Sequence, residues 1–257
     1  MKDQPDFGRR ALVAAAATAI VSAEGTALAF GESGAFRARL LAAGKSGVVG
    51  PRASAPARWA AELVRRTSAA GRQTAAEPVS ADRPALLQEP FAVWTGREDV
   101  GALSRAEVQG LERFLRLGGT LVVDDAEPLT GAFRRSAQRE LARVLPEAPP
   151  VRLDPAHVVY KTFYLLDRPV GRVLGPAFIE AIVRGRAAQV LFLSHDLLGA
   201  LARSGEGWAL PTEPGGVDQR ERAVRFAVNI AMYVLCSDYK DDIVHAPFLM
   251  QRRGRSR

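Results

Sequence analysis

Apolar residues occur along the chain either in short continuous runs or at helical spacing. Together these two patterns predict strands that alternate with helices. Short apolar runs bounded by Gly or Pro predict buried strands at residues 91–94, 120–123, 178–183 and 188–194. Apolar residues on helical spacing predict helices at residues 55–68, 105–117, 134–145, 197–203 and 219–236. This order favours one α/β domain with an open parallel sheet and helices on both faces.

Local signals set the limits of this domain. Ser104 and Glu107 form a capping-box pattern, which predicts a helix start directly after the first buried strand. We expect the domain to span residues 54–250. The segment at residues 30–53 is rich in Gly, Ala and Arg, which indicates a linker with one short helix. The arginines of residues 251–257 indicate a basic, disordered tail.

The first 29 residues have the pattern of a secretory signal. Arg9 and Arg10 precede an apolar run at residues 11–21, and a small-residue cleavage site ends at Ala29. Two adjacent arginines favour the twin-arginine route, which makes the twin-arginine translocase a partner during export to the periplasm. Cleavage after Ala23 and retention as an anchor are the alternatives. Glu24 interrupts the run before the roughly 20 apolar residues that a span requires, so we expect no stable membrane span after cleavage.

Charge and cysteine content narrow the function classes. The formal net charge is +7, from 35 Lys and Arg against 28 Asp and Glu, but export disfavours nucleic acid as a partner. Cys236 is the only cysteine, so the chain has no intramolecular disulfide. Because Cys236 ends an apolar stretch of the last predicted helix, we expect a buried structural thiol.

Polar residues follow three of the predicted strands. The pairs and triplets are Thr95 and Gly96, Asp124 and Asp125, and Ser194, His195 and Asp196. In an open α/β sheet the carboxyl ends of the strands form the usual ligand crevice. Carboxylates beside a histidine could bind a divalent cation or act as acid and base. The alternative is that these aspartates accept backbone hydrogen bonds and cap helices or turns. The sequence leaves the cofactor, and whether a metal is bound, unknown.

Two further groups carry candidate binding residues. His157, Tyr160 and Lys161 lie in a region of weak periodicity, and a site there remains open beside a packing role within a long loop. Arg225 and Asn229 are spaced i, i+4 on the last predicted helix, so they share a face and can reach the same partner.

Several motifs resemble one bacterial family, the domain-of-unknown-function family 4159. They include WTG at residues 94–96, FLRLGGTLVVDD at 114–125, HVVYKTFYLLD at 157–167, LSHDLLGA at 193–200 and RFAVNIAMYVL at 225–235. The resemblance covers residues 59–250. It implies a flavodoxin-like, class I glutamine-amidotransferase-like fold and no known reaction, and it suggests companions among envelope-associated ATPase and von Willebrand-type systems. Ala156 stands where the family leads us to expect an acidic residue beside the histidine.

Amidotransferase chemistry requires a cysteine on a tight turn between a strand and a helix. This chain has none there, so we do not expect glutaminase activity. We favour a noncatalytic exported module that binds or scaffolds another envelope protein. The alternative is a hydrolase, with or without a metal, that uses carboxylates and histidines drawn from Asp124, Asp125, His157, His195 and Asp196.

Overall fold

The computed structural model describes residues 35–47, 50–205 and 207–253, with side chains described as far as residue 236. The predicted signal peptide at residues 1–29 lies outside the described residues, as do residues 254–257 of the predicted tail. The described chain forms an α/β domain around one central sheet.

The central sheet has seven strands in the order β2-β1-β3-β4-β7-β6-β5. The strands are β1 (Arg39–Ala42), β2 (Val79–Ser80), β3 (Phe91–Gly96), β4 (Thr120–Asp125), β5 (Val151–Leu153), β6 (Ile179–Arg184) and β7 (Ala187–Leu193). Strands β2, β1, β3, β4 and β7 are parallel to one another. The sheet is therefore open and mostly parallel, and it is compatible with a flavodoxin-like arrangement.

Helices cover both faces of this sheet. They are α1 (Ala55–Arg66), α2 (Arg105–Arg116), α3 (Ala132–Val144), α4 (Leu197–Leu201) and α5 (Gly216–Arg253). One hydrophobic cluster joins α1, α4 and α5 to the sheet, and a second joins α2 and α3 to the opposite face. All residues of β3 and β4 are buried, as expected for central parallel strands between two helical layers.

The start of α2 illustrates how local sequence sets an element boundary. The Ser104 hydroxyl accepts a hydrogen bond from the Glu107 N–H, and the Glu107 carboxylate accepts one from the Ser104 N–H at 2.8 Å. This reciprocal pair satisfies two N–H groups that the first helical turn leaves without partners. The predicted capping box is confirmed.

The predicted open parallel sheet has one antiparallel edge. Strand β6 runs antiparallel to β7, and β5 runs antiparallel to β6. Only Gly185 and Arg186 connect β6 to β7. A connection this short makes a hairpin, because a crossover between parallel strands needs a dozen or more residues. Gly185 adopts φ 60°, which the tight turn requires.

Two other boundaries differ from the sequence predictions. The segment predicted as a linker contributes β1, which lies inside the sheet between β2 and β3. Helix α5 continues to Arg253, past the predicted end at residue 236 and into the predicted tail. Neither difference changes the central strands. A small hairpin of β8 (Arg203–Ser204) and β9 (Gly207–Trp208) follows α4.

Candidate functional site at the carboxyl end of the sheet

The three polar segments that follow β3, β4 and β7 lie side by side. Thr95 is in register with Asp124, and Asp124 is in register with Leu193, the residue before Ser194. The Thr95 hydroxyl donates to the Asp124 carbonyl oxygen at 2.8 Å. The predicted convergence of these segments is confirmed, because neighbouring parallel strands end at the same edge of the sheet.

Gly96 ends β3 where the ring of Phe133 packs against the strand. A Cβ atom on Gly96 would lie 2.4 Å from the Phe133 ring, which is closer than van der Waals contact permits. The same Phe133 ring meets Trp94 edge-on, with the ring centroids 5.6 Å apart. The glycine therefore allows α3 to approach the sheet edge, and this packing role accounts for it.

Asp124 and Asp125 do not form a pair of cooperating carboxylates. Successive side chains of a strand point to opposite faces of the sheet. The Asp124 carboxylate accepts hydrogen bonds from the N–H groups of Leu197 and Leu198, at 2.8 and 2.7 Å, at the start of α4. The Asp125 carboxylate instead faces the α3 layer. The two carboxylates therefore bind separate partners on opposite faces of the sheet.

Asp125 closes the turn that leads into α3. Its carboxylate accepts from the Glu127 N–H at 2.9 Å and from the Arg134 N–H at 3.4 Å. Asp125 is fully buried, and burial raises the pKa of its carboxyl group above the ordinary value. The capping interpretation of this residue is confirmed.

Asp196 is the N-cap of α4 and the centre of a buried ionic cluster. Its carboxylate accepts from the Gly199 N–H at 3.0 Å and binds Arg52 through Nε at 2.7 Å and Nη2 at 2.6 Å. Arg172 Nε donates to the same carboxylate. Such a two-point contact between guanidinium and carboxylate is strong and directional. We call Asp124, Asp196, Arg52 and Arg172 the strand-end cluster.

Arg52 and Arg172 were not among the predicted site residues. Arg52 precedes α1 in a short 3-10 helix, and Arg172 lies between β5 and β6. Arg52 reaches a residue 144 positions away in the chain, so no local spacing indicates the contact. Only the fold brings these two guanidinium groups to one carboxylate.

The environment of the strand-end cluster affects the ionisation of Asp124. Burial raises the pKa of Asp124 to about 8, and the neighbouring Asp196 carboxylate adds to the increase. The two backbone N–H groups and Arg52 act in the opposite direction, because they stabilise the charged form. Desolvation dominates since Asp124 has no exposed surface.

His195 is buried behind the same edge. Its Nε2 lies 2.9 Å from the Pro176 carbonyl oxygen, and its ring packs against Gly175. Burial lowers the pKa of His195 to about 4, so the ring is neutral at physiological pH. Ser194 is partly buried, and its carbonyl oxygen also faces Gly175. Neither residue joins a hydrogen bond with Asp124 in the described chain.

The predicted cluster around His157 forms a separate structure. We call residues 155–167 the β5–β6 segment. His157 Nδ1 accepts from the Val159 N–H at 3.2 Å, which caps a short 3-10 helix, and burial lowers the pKa of His157. Among the described residues, no hydrogen bond, ion pair or ring contact joins His157, Tyr160 or Lys161 to the strand-end aspartates. His157 therefore lies apart from Asp124 and Asp125, which are also candidates for the hydrolase alternative.

Tyr160 holds the β5–β6 segment to the sheet. Its hydroxyl donates to the Leu153 carbonyl oxygen at 3.2 Å and accepts from the Ile179 N–H at 3.0 Å. Its ring stacks on Phe226 of α5, with the centroids 5.9 Å apart. Burial raises the pKa of Tyr160 to about 12. The residue is a structural link between β5, β6 and α5.

Arg225 and Asn229 of α5 contact the same residue, Tyr164. Asn229 Oδ1 accepts from the N–H groups of Phe163 and Tyr164, at 3.2 and 2.7 Å, and its Nδ2 donates to the Tyr164 carbonyl oxygen at 2.8 Å. The Arg225 guanidinium carbon lies 5.2 Å from the centre of the Tyr164 ring. The expectation that their i, i+4 spacing lets them reach one partner is confirmed, and that partner belongs to the same chain.

An open depression of about 440 Å³ lies on the β5–β6 segment. The residues that line it are Pro155, Ala156, Lys161, Leu165, Leu166 and Asp167. Lys161 is exposed, whereas Asp167 forms an ion pair with Arg222 of α5. This depression is the place where Lys161, one of the predicted binding residues, meets solvent.

Two further predictions concern metal ligands and the cysteine. In the part of the chain that the structure describes, no three His, Cys, Asp or Glu residues come together as a possible metal site.

Cys236 is exposed, so the prediction of a buried thiol is wrong. The buried positions of α5 include Ile230 and Val234, and Cys236 falls beyond them on the helix.

The described residues define an α/β protein with an open, mostly parallel sheet whose strand-end carboxylates bind groups of the same chain. The chain belongs to the family described as Domain of unknown function (DUF4159), whose model matches residues 46–235. The family resemblance drawn from the sequence motifs is confirmed. Comparison with curated proteins gives no match. Within the described residues, no helix has both the length and the apolar character needed to cross a bilayer.

Proposed function

We propose that this protein is a noncatalytic binding or scaffolding module of the bacterial cell envelope. The observation that supports this most directly is the internal use of the strand-end groups. Asp124, Asp125 and Asp196 accept hydrogen bonds from backbone N–H groups, and Arg52 covers Asp196. A buried carboxylate that already accepts hydrogen bonds within the fold must lose them before it can bind a substrate, and that loss is costly.

The hydrolase alternative would need these carboxylates to leave their present partners. A general base must lie within hydrogen-bond reach of a proton on the substrate or on an attacking water. Asp124, Asp125, Asp196 and His195 each expose 1% of their surface or less. A rearrangement that opened this edge would break the cap of α4 and the contact with Arg52, so we favour the noncatalytic role.

A class I glutamine-amidotransferase-like fold is part of the proposal, on the strength of the family resemblance and the open sheet. Glutamine-amidotransferase activity does not follow from a similar fold. Its nucleophile is a cysteine on a turn between a strand and a helix. Cys236 lies within α5 instead, far along the chain from the end of any central strand.

Export through the twin-arginine route is the second part of the proposal. It is supported by Arg9 and Arg10, the apolar run that follows them and the small residues that end at Ala29. A cleaved signal would leave the domain as a periplasmic protein that is free to bind an envelope partner. Replacement of Arg9 and Arg10 by Lys should keep the protein in the cytoplasmic fraction.

In-cell cross-linking of the full-length chain tests the binding function. We expect purification after cross-linking to recover the same envelope protein in independent cultures. An Asp125→Asn variant that keeps its circular dichroism spectrum should recover that protein equally well, because Asp125 has an internal role. Absence of any reproducible envelope partner for the native chain would contradict the proposal.

A further inference from the structure

The β5–β6 segment is held closely to the rest of the domain although it has little regular secondary structure. Asn229 binds the backbone of Phe163 and Tyr164 through three hydrogen bonds, and Tyr160 binds both β5 and β6. A loop fixed in this way loses little conformational freedom when it binds a partner. The segment therefore presents its outward side chains in a defined arrangement.

The outward side chains of this segment are apolar to an unusual degree. Val158 is 51% exposed, Phe163 is 44% exposed and Leu165 is 85% exposed. Single exposed apolar residues are common on protein surfaces, but several on one short segment suggest an interaction surface. Leu165 also lines the open depression, next to Lys161.

Charge distinguishes this surface from a purely apolar one. No described residue forms an ion pair or hydrogen bond with the Lys161 ammonium group. The acidic residue in the depression, Asp167, is already bound to Arg222. A positive charge without a partner beside exposed apolar side chains is complementary to a carboxylate that is flanked by apolar groups.

The shape of the depression favours a protein segment over a small molecule. Small-molecule sites are clefts that enclose most of the ligand surface. This depression is open, and the exposed apolar surface extends along the segment on both sides of Lys161 in the sequence. A peptide can cover such a surface by placing alternate side chains along it.

We propose that the β5–β6 segment is the docking surface of the module, and that it binds a partner segment in which a carboxylate lies among apolar side chains. Lys161 binds the carboxylate, and Leu165 provides the main apolar contact. This inference rests on the proposed binding function and names the surface and the chemistry of the partner. It makes the sheet edge a structural support rather than the contact site.

The test uses a display library of short random peptides selected against the full-length chain. We expect the selected peptides to combine an Asp or Glu with apolar residues. Lys161→Glu and Leu165→Ser should each weaken their binding about tenfold or more, as for central contacts of an interface. Lys45→Glu and Leu129→Ser are matched controls, because both residues are exposed elsewhere, and they should leave the binding unchanged.

A charge exchange makes the test specific. Replacement of the acidic residue of a selected peptide by Lys should abolish binding to the native chain and restore it to Lys161→Glu. Selected peptides that lack acidic residues, or that bind Lys161→Glu and Leu165→Ser as tightly as the native chain, would overturn the docking surface. If the cross-linked envelope partner is still recovered with both variants, this inference fails while the binding function stands.

Discussion

The strand-end cluster and the β5–β6 segment use their polar residues in opposite ways. In the cluster, Asp124 and Asp196 are fully buried and accept hydrogen bonds from backbone N–H groups, and Asp196 also binds Arg52. In the β5–β6 segment, Asn229 of α5 binds the backbone and the Tyr160 hydroxyl binds β5 and β6, while Lys161 and Leu165 are exposed to solvent. The polar groups at the sheet edge therefore bind other parts of the same chain, whereas Lys161 and Leu165 of the β5–β6 segment are accessible to a partner.

The comparison shows that a position typical of ligand binding does not itself define a site. The carboxyl edge of a parallel sheet carries ligands in many α/β proteins because the loops there leave a crevice. In this protein a short helix, α4, closes on that edge, and the aspartates cap its N-terminus. The ionisable residues at this edge thus support the fold. The exposed side chains of the irregular β5–β6 segment are the ones that we propose for recognition.

The largest expected effect concerns the ion pair of the strand-end cluster. Arg52→Ala should lower the free energy of unfolding by about 3–5 kcal/mol, because it leaves the buried Asp196 carboxylate with one guanidinium fewer. Urea unfolding at neutral pH measures the change. Arg97→Ala is the matched control, since the exposed pair of Arg97 and Glu127 should contribute no more than about 1 kcal/mol. Equal losses for the two variants would show that the cluster does not stabilise the sheet edge.

The second prediction concerns the attachment of the β5–β6 segment. Asn229→Ala removes three hydrogen bonds to Phe163 and Tyr164, and we expect a loss of about 2–3 kcal/mol in the free energy of unfolding. The hydrogen-exchange rate should increase most at the amides of Phe163 and Tyr164. Thr162→Ala removes one exposed hydrogen bond of the same segment and serves as the control. Unchanged protection of the two amides would mean that Asn229 does not order the segment.

Parts of the fold were accessible from the sequence because they are encoded locally. Central strands buried on both faces appear as short apolar runs, and β3 and β4 were predicted for that reason. The capping box at Ser104 depends on a spacing of three residues, so it was equally visible. Strand β1 was missed because Arg39–Ala42 is short and lies among similar Ala and Arg residues.

The candidate site was predictable only in part, for a related reason. The polar residues at the strand ends could be found, since each follows an apolar run. Their partners could not, because Arg52 and Arg172 reach Asp196 from 144 and 24 positions away. Whether a strand-end carboxylate faces a ligand or a helix N-terminus depends on where α4 packs, and this is a property of the tertiary structure.

The third prediction uses the ionisation of Asp124. An exposed aspartate has a pKa of about 3.9, and burial raises the pKa of Asp124 to about 8. Between these values the folded state binds more protons than the unfolded state, so the free energy of unfolding falls as the pH rises through about 8. We expect a decrease of about 1–2 kcal/mol between about pH 6.5 and pH 8.5.

An Asp124→Asn variant should lack this decrease, and unfolding at several pH values measures it. His195 does not obscure the result. Burial lowers the pKa of His195 to about 4, so its contribution to the free energy of unfolding changes below about pH 6.5 and with the opposite sign. A native chain as stable at about pH 8.5 as at about pH 6.5 would show that Asp124 is ionised throughout, with Arg52 and the α4 N–H groups outweighing its burial.

The smallest expected effect distinguishes the two sides of the β5–β6 segment. Leu165 is 85% exposed and its neighbour Leu166 is 8% exposed. Leu165→Ala should change the free energy of unfolding by less than about 0.5 kcal/mol, because its side chain is already in water. Leu166→Ala should cost about 2 kcal/mol or more through lost packing. Thermal unfolding of both variants measures the contrast. A large decrease in the free energy of unfolding for Leu165→Ala would mean that this leucine stabilises the fold and is not free to contact a partner.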